Sequence, residues 1–152
     1  MPRSRMPISI PNDILIREVG RLLEGGSNVE LKTKGNSMLP AIIGDRDSVR
    51  LKRTSYADLV EGDIVLAEIR EGHFVLHRVI DKKDDCLVLR GDGNIIGTEI
   101  CRPENILGIV TEIITPSGRE RKPGKARLWR TLGPFTRRCV LAIYRRTILK
   151  LI

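Results

Sequence analysis

Aromatic residues are scarce: one Trp, two Tyr and two Phe among 152 positions. A core must therefore be built from aliphatic side chains. Cysteine is nearly as rare. Cys86, Cys101 and Cys139 are odd in number and widely spaced, which predicts neither a disulfide framework nor a zinc pattern. All three read as small buried hydrophobes. There are two histidines, His73 and His77. On a helix this spacing could chelate a metal. However, "HFVLHRVI" reads as a strand, where four residues span roughly 13 Å, too far for one ion. No metal or other cofactor is expected. Long apolar runs are also missing. No stretch approaches the ~18 apolar residues of a transmembrane helix. The opening "MPRSRMPISIPNDIL" lacks the apolar run of a signal peptide.

Charge is plentiful but unevenly placed. The formal net charge is +8. Up to Pro116 there are 16 Lys and Arg against 18 Asp and Glu, whereas from Ser117 onward there are 11 against 1. The basic character belongs to the tail. The length suits one domain with a proper core.

Three regions are expected. Residues 1–28 hold a helix packed on the domain. "NDILIREVGRLLE" predicts it over 12–24, with Asn12 or Asp13 as cap and Gly25-Gly26 as stop. Leu15, Val19 and Leu22 form its apolar stripe, with Ile16 and Leu23 beside it. Residues 29–116 form a β domain. "VELKTKG", "DSVRLKR", "DIVLAEI", "HFVLHRVI", "CLVLRGD" and "ILGIVTEII" are six strands separated by Asp/Gly turns, which predicts an antiparallel, barrel-like arrangement. Residues 117–152 are a basic linker and a helical tail, read as a separate module and broken at Gly133-Pro134.

One constellation carries chemistry. A serine hydroxyl needs a base, a group that orients the base, and donors for an oxyanion. In "KGNSMLP", Gly35 lets the backbone turn closely, and the amides of Gly35, Asn36 and Ser37 can face an oxyanion. Alone, such a serine is ordinary turn chemistry. His77 lies in an apolar strand on the face of Val75 and Val79. A core histidine bonded to a carbonyl is its plain reading, and a general base is the alternative. Asp92, in "RGDGN", is either a turn residue or the carboxylate that fixes the imidazole.

"GNSMLPAIIGD", "VLHRVI" and "LRGDGN" follow one another in order, with Ser37, His77 and Asp92 spaced by 40 and 15 residues. This resembles the superfamily of type I signal peptidases and LexA-like self-cleaving repressors, over about Val29 to Val110. His77-Arg78 and Arg90-Gly91-Asp92-Gly93-Asn94 resemble the Ser-His branch, the archaeal and endoplasmic-reticulum type. The resemblance implies a mainly β, barrel-like LexA/signal-peptidase fold. It implies Ser37 as nucleophile, His77 as general base and then acid, and an aspartate in support. Counting outward from a turn near Lys83 places Asp92 just beyond His77, so Asp92 is the expected partner, with Glu99 in reserve. Gly35 stands where signal peptidases have a serine, so the oxyanion hole relies on backbone amides.

The expected function is a serine endopeptidase acting on a leader or signal-like peptide with small residues before the cleaved bond. The first thirty residues predict one amphipathic helix, in place of a membrane anchor or a multi-helix DNA-binding domain. The chain is thus expected in the cytoplasm, with residues 117–152 a candidate for contact with an anionic membrane. Two alternatives remain. One is a non-catalytic peptide-binding member of the same fold. The other is a nucleic-acid-binding protein using the tail, disfavoured because the tail carries no regular array of stacking aromatics.

Overall fold

The structure is a computed structural model that describes residues 12–151. The reading of the first eleven residues and the proposed Asn12 side-chain cap lie outside the described residues. The first element is helix α1, Asn12–Glu24. Its buried line is Ile16, Val19 and Leu23, at helical spacing. Leu22 is exposed, so the apolar face lies one position away from the expected Leu15–Val19–Leu22 stripe. The helix stops as expected at Gly25-Gly26. Gly26 adopts φ +89°, and the Gly26 and Ser27 amides donate to Leu23 and Leu22 carbonyls at 3.0 Å each. These two bonds satisfy carbonyls that the helix end leaves open.

Eight strands follow: β1 Val29–Lys32, β2 Ser48–Lys52, β3 Ile64–Arg70, β4 His73–Lys82, β5 Leu87–Arg90, β6 Glu99–Cys101, β7 Ile106–Ile114 and β8 Glu120–Arg121. Six are the expected ones. The additions, β6 and β8, are three and two residues long. All pairings are antiparallel. The order is β1-β2-β7-β3-β4-β5-β6, with β8 on β7. This path has two ends, so the sheet is open, with β1 and β6 at its rims.

Two apolar clusters hold the sheet. Alternation along β3 feeds both. Ile64 and Leu66 join α1, Val49, Leu51 and Ile113. Val65 and Ala67 join Leu59, Val79, Leu87, Leu89 and Cys101. Strand β3 is thus buried on both faces, as its near-continuous apolar run requires.

The tail breaks where Pro134 demands. Helix α2 covers Arg127–Thr131 and helix α3 covers Pro134–Leu151. It is not a detached module. Leu141 packs with Leu39 and Ile43 in a third cluster, flanked by Trp129 and Tyr144. Two of the three cysteines also depart from expectation. Cys101 is buried, but Cys86 is half-buried and Cys139 is exposed on α3. Burial pushes the Cys101 thiol up to about 11. No helix among the described residues is long and apolar enough to cross a membrane.

Candidate active site

The loop that carries Ser37 is fixed at its base and along its length. Thr33 donates through Oγ1 to the Asp47 carbonyl at 2.8 Å, and Asp45 N–H reaches back to the Thr33 carbonyl at 2.9 Å. The Asp47 carboxylate is fully buried. It accepts the Ile43 amide and the Arg46 Nε, both at 2.9 Å. Between these ties, "SMLPAII" places its apolar side chains in two cores. Met38 and Ile42 enter the α1 cluster, and Leu39 and Ile43 enter the tail cluster. The Leu39–Pro40 peptide bond is cis.

Glycine is required at two places in this loop. Gly35 has φ +71°, a region closed to most side chains. A Cβ on Gly44 would lie 1.6 Å from the Gly35 carbonyl oxygen. The two backbones therefore press together, and nothing larger fits. Among the described residues the Gly35, Asn36 and Ser37 amides make no hydrogen bond outside regular structure. These are the three amides that the sequence offered as oxyanion donors.

The "GDGN" turn meets this loop. Gly93 N–H donates to the Ser37 carbonyl at 2.8 Å. Asp92 N–H contacts Met38 Sδ at 3.4 Å. A Cβ on Gly91 would stand 2.3 Å from the Ser37 carbonyl oxygen and 3.0 Å from His77 Nε2. Ser37 backbone and His77 ring thus face one another across the space of a single methyl group. The Ser37 hydroxyl and His77 Nε2 are not hydrogen-bonded in this structure. Such contacts commonly tighten only when substrate is bound.

His77 is buried, and its Nδ1 lies 3.0 Å from Glu99 Oε2. A neutral imidazole that donates Nδ1–H to this carboxylate leaves the Nε2 lone pair toward Gly91 and Ser37. The partner carboxylate is thus Glu99, the reserve candidate, rather than Asp92. The reason lies in register and alternation. Arg78 pairs with Arg90, so the next residue outward beside His77 is Gly91. Successive side chains on β4 point to opposite faces, and Asp92 belongs with Arg78. Arg78 donates Nε and Nη2 to Asp92 Oδ1 and Oδ2 at 2.8 and 2.7 Å. Its Nη1 reaches the Gly62 and Gly124 carbonyls at 2.8 and 3.0 Å. Arg78 is fully buried and Asp92 nearly so. This bidentate pair locks the turn beside the site. His73 is exposed at the far end of β4, away from His77.

An apolar groove of about 140 Å³ runs beside Ser37. One wall is Leu31–Gly35, which continues the outer edge of β1. The other is Phe74–Leu76 of β4. β5 pairs only with the second half of β4, from Arg78 onward. Two strand edges without a partner strand therefore face the groove, and Met38 and Ile16 form part of its floor.

The tail supplies residues that sequence reasoning did not place at the site. Trp129 Nε1 donates to the Asp92 carbonyl at 2.9 Å. Arg137, buried to 3% exposure, donates to the Asn94 and Ile95 carbonyls at 3.1 and 2.6 Å. Burial lowers the Arg90 guanidinium below its ordinary value, and the like charges of Arg137 and Arg130 add to this. The one available signal was an arginine embedded in an apolar helical segment. No model of a known protein family matches this chain.

Proposed function

We propose that the chain is a serine endopeptidase with a LexA/signal-peptidase-like fold. The observation that carries this reading is the pairing of buried His77 with Glu99, its free ring nitrogen directed at the turn bonded to Ser37. Ser37 Oγ attacks the peptide carbonyl carbon and gives its proton to His77 Nε2. Glu99 holds the ring and stabilises the imidazolium. Backbone amides of the 35–37 turn receive the oxyanion. The C–N bond then breaks, and His77 returns the proton to the leaving amine. Water, deprotonated by His77, hydrolyses the acyl ester and frees Ser37.

The substrate is a leader or signal-like peptide lying extended in the groove. Its backbone would bond to the two open strand edges, as in strand addition. Small residues before the cleaved bond are what the family resemblance implies. The site of action is the cytoplasmic face of an anionic membrane, contacted by the basic tail. Exposed Leu128, Phe135, Ile143 and Leu151 stand among Arg138, Arg145, Arg146 and Lys150 there.

A fluorophosphonate probe tests the chemistry. It should label the wild-type protein at Ser37, and Ser37→Ala and His77→Ala should each abolish labelling and peptide cleavage. The two residues act as a unit, so the double variant should be little worse than either single one. Cleavage at wild-type rate by Ser37→Ala would sink the mechanism. The absence of a Ser37–His77 hydrogen bond favours a second reading, a peptide-binding protein without turnover. A wild-type protein that binds peptide but takes no label would establish it.

A further inference from the structure

The segment from Gly91 to Glu99 has a role at each end. Near its start, the Gly93 amide holds the Ser37 carbonyl. At its finish, Glu99 holds His77. Between them lie "NIIGT" and a change of direction, with Ile96 exposed. Two side chains of the tail, the half-buried Trp129 and the buried Arg137, grip this segment from outside the sheet. Trp129 takes the Asp92 carbonyl, and Arg137 takes those of Asn94 and Ile95.

Arg137 is unusual in its surroundings. It is a buried guanidinium with no carboxylate within ion-pair distance among the described residues. Its third bond, from Nε at 3.2 Å, goes to the Leu132 carbonyl of its own helix approach. A buried charge satisfied by carbonyls alone is costly to keep. What it obtains is geometry. The planar fork spans three carbonyls on two chain segments, which the single nitrogen of a lysine cannot do. One face of α3 thereby fastens the loop to the tail, while Leu141 of the same helix packs on Leu39 and Ile43 of the nucleophile loop.

We infer that Arg137, assisted by Trp129, is a positioning residue that sets the distance between Ser37 and the His77–Glu99 pair. The inference rests on the reading of Ser37 and His77 as the reacting pair. The tail then serves the site directly, whatever else it contacts. Removing the clamp leaves the groove intact, so peptide affinity is retained while the reaction slows.

The full-length chain is used, as wild type, Arg137→Ala, Arg137→Lys and Trp129→Phe. The last keeps an aromatic ring, removes the N–H donor, and stands in if the arginine variants fail to fold. Two readouts are taken. Amide hydrogen exchange at Gly93 and Asn94 reports the loop without reference to chemistry. The rate of Ser37 labelling and the kcat and KM for a peptide report the reaction. Loss of charge-assisted bonds should speed exchange at both amides on the order of tenfold. Labelling and kcat should fall by a similar factor or more, with KM little changed. Added guanidinium ion should partly restore Arg137→Ala, and Arg137→Lys should resemble Arg137→Ala. Unchanged exchange at Gly93 and Asn94 in the folded variants overturns the positioning role. So does a loss confined to KM. Faster exchange in a protein whose wild type takes no label at Ser37 keeps the clamp on the loop and overturns the peptidase reading instead.

Discussion

His77 and Arg78 are neighbours in sequence and point to opposite faces of β4, and each takes its own carboxylate. Glu99 holds the imidazole, and Asp92 holds the guanidinium. The two acids should therefore fail differently. Glu99→Gln should preserve the fold, because Glu99 is partly exposed. It should lower turnover by orders of magnitude, since an amide does not stabilise the imidazolium. Asp92→Asn leaves a fully buried guanidinium short of its counter-charge. Breaking such a pair costs about 3–5 kcal/mol, visible as a large drop in denaturant midpoint. Parallel melts and peptide assays on the two variants check this. A stable Asp92→Asn with lost turnover, beside an active Glu99→Gln, would return the catalytic role to Asp92. The sequence blocks lead to Ser37 and His77 because each motif is local. The choice of acid was not legible, because it depends on a pairing register. The β4–β5 turn is centred beyond Lys83, and a bulge falls between Val79 and Asp81. Each shifts the residue that stands beside His77.

Among the elements, the strands nearest the Ser37 loop are joined by charge as well as by backbone. Arg50 on β2 reaches Glu30 on β1, Glu112 on β7 and Glu120 on β8 at 3.9, 3.5 and 2.7 Å. Lys122 meets Glu112 at 2.8 Å. The bond from Lys122 is the largest reason that the Glu112 carboxyl is held at about 2, with Thr111 next. A carboxyl depressed from 4.5 stabilises the fold fully above that pH, and the contribution is lost as pH falls toward 2. Glu112→Gln should accordingly be less stable than wild type at neutral pH, and its stability should fall less between pH 4.5 and pH 2. Denaturant melts across that window check it, and parallel curves for the two proteins would contradict it. Six strands were readable because each runs for four residues or more, with apolar alternation or an apolar run set off by polar turns. β6 and β8 are too short for any periodicity to register. Glu99 is the first residue of β6, so missing that strand also hid the acid that meets His77. On α1, two adjacent apolar positions, Leu22 and Leu23, left the helix phase ambiguous by one step.

At the scale of the whole molecule, composition divides the chain after Pro116 and contacts do not. β8 pairs with β7, Gly124 accepts from Arg78, and Leu141 completes a cluster with Leu39 and Ile43. Charge counting detects where a surface changes, and it carries no information about what a helix packs against. The outward side of α3 keeps apolar and basic residues interleaved, and this motivates the membrane proposal. Basic residues near an anionic surface contribute about 1 kcal/mol each, so the protein should float with anionic vesicles at low salt and be released by high salt. Replacing Phe135 and Ile143 with serine should weaken flotation. No association of the wild type at low salt would exclude the membrane role.

The two strand edges along the groove have a further consequence, for solubility. An edge left unpaired is a template on which another sheet can grow, so any second copy with an open strand is a competitor for the same place. Lys32 and Lys34 stand exposed on that rim, with Thr33 between them turned inward. A strand that docks there must accommodate two ammonium groups at the entrance, and two copies meeting rim to rim would set four such charges together. The guard is uneven, however. The opposite wall, Phe74–Leu76, has no charged residue of its own. The groove is thus defended against its own kind on one side only, and the undefended side is the one nearer the imidazole.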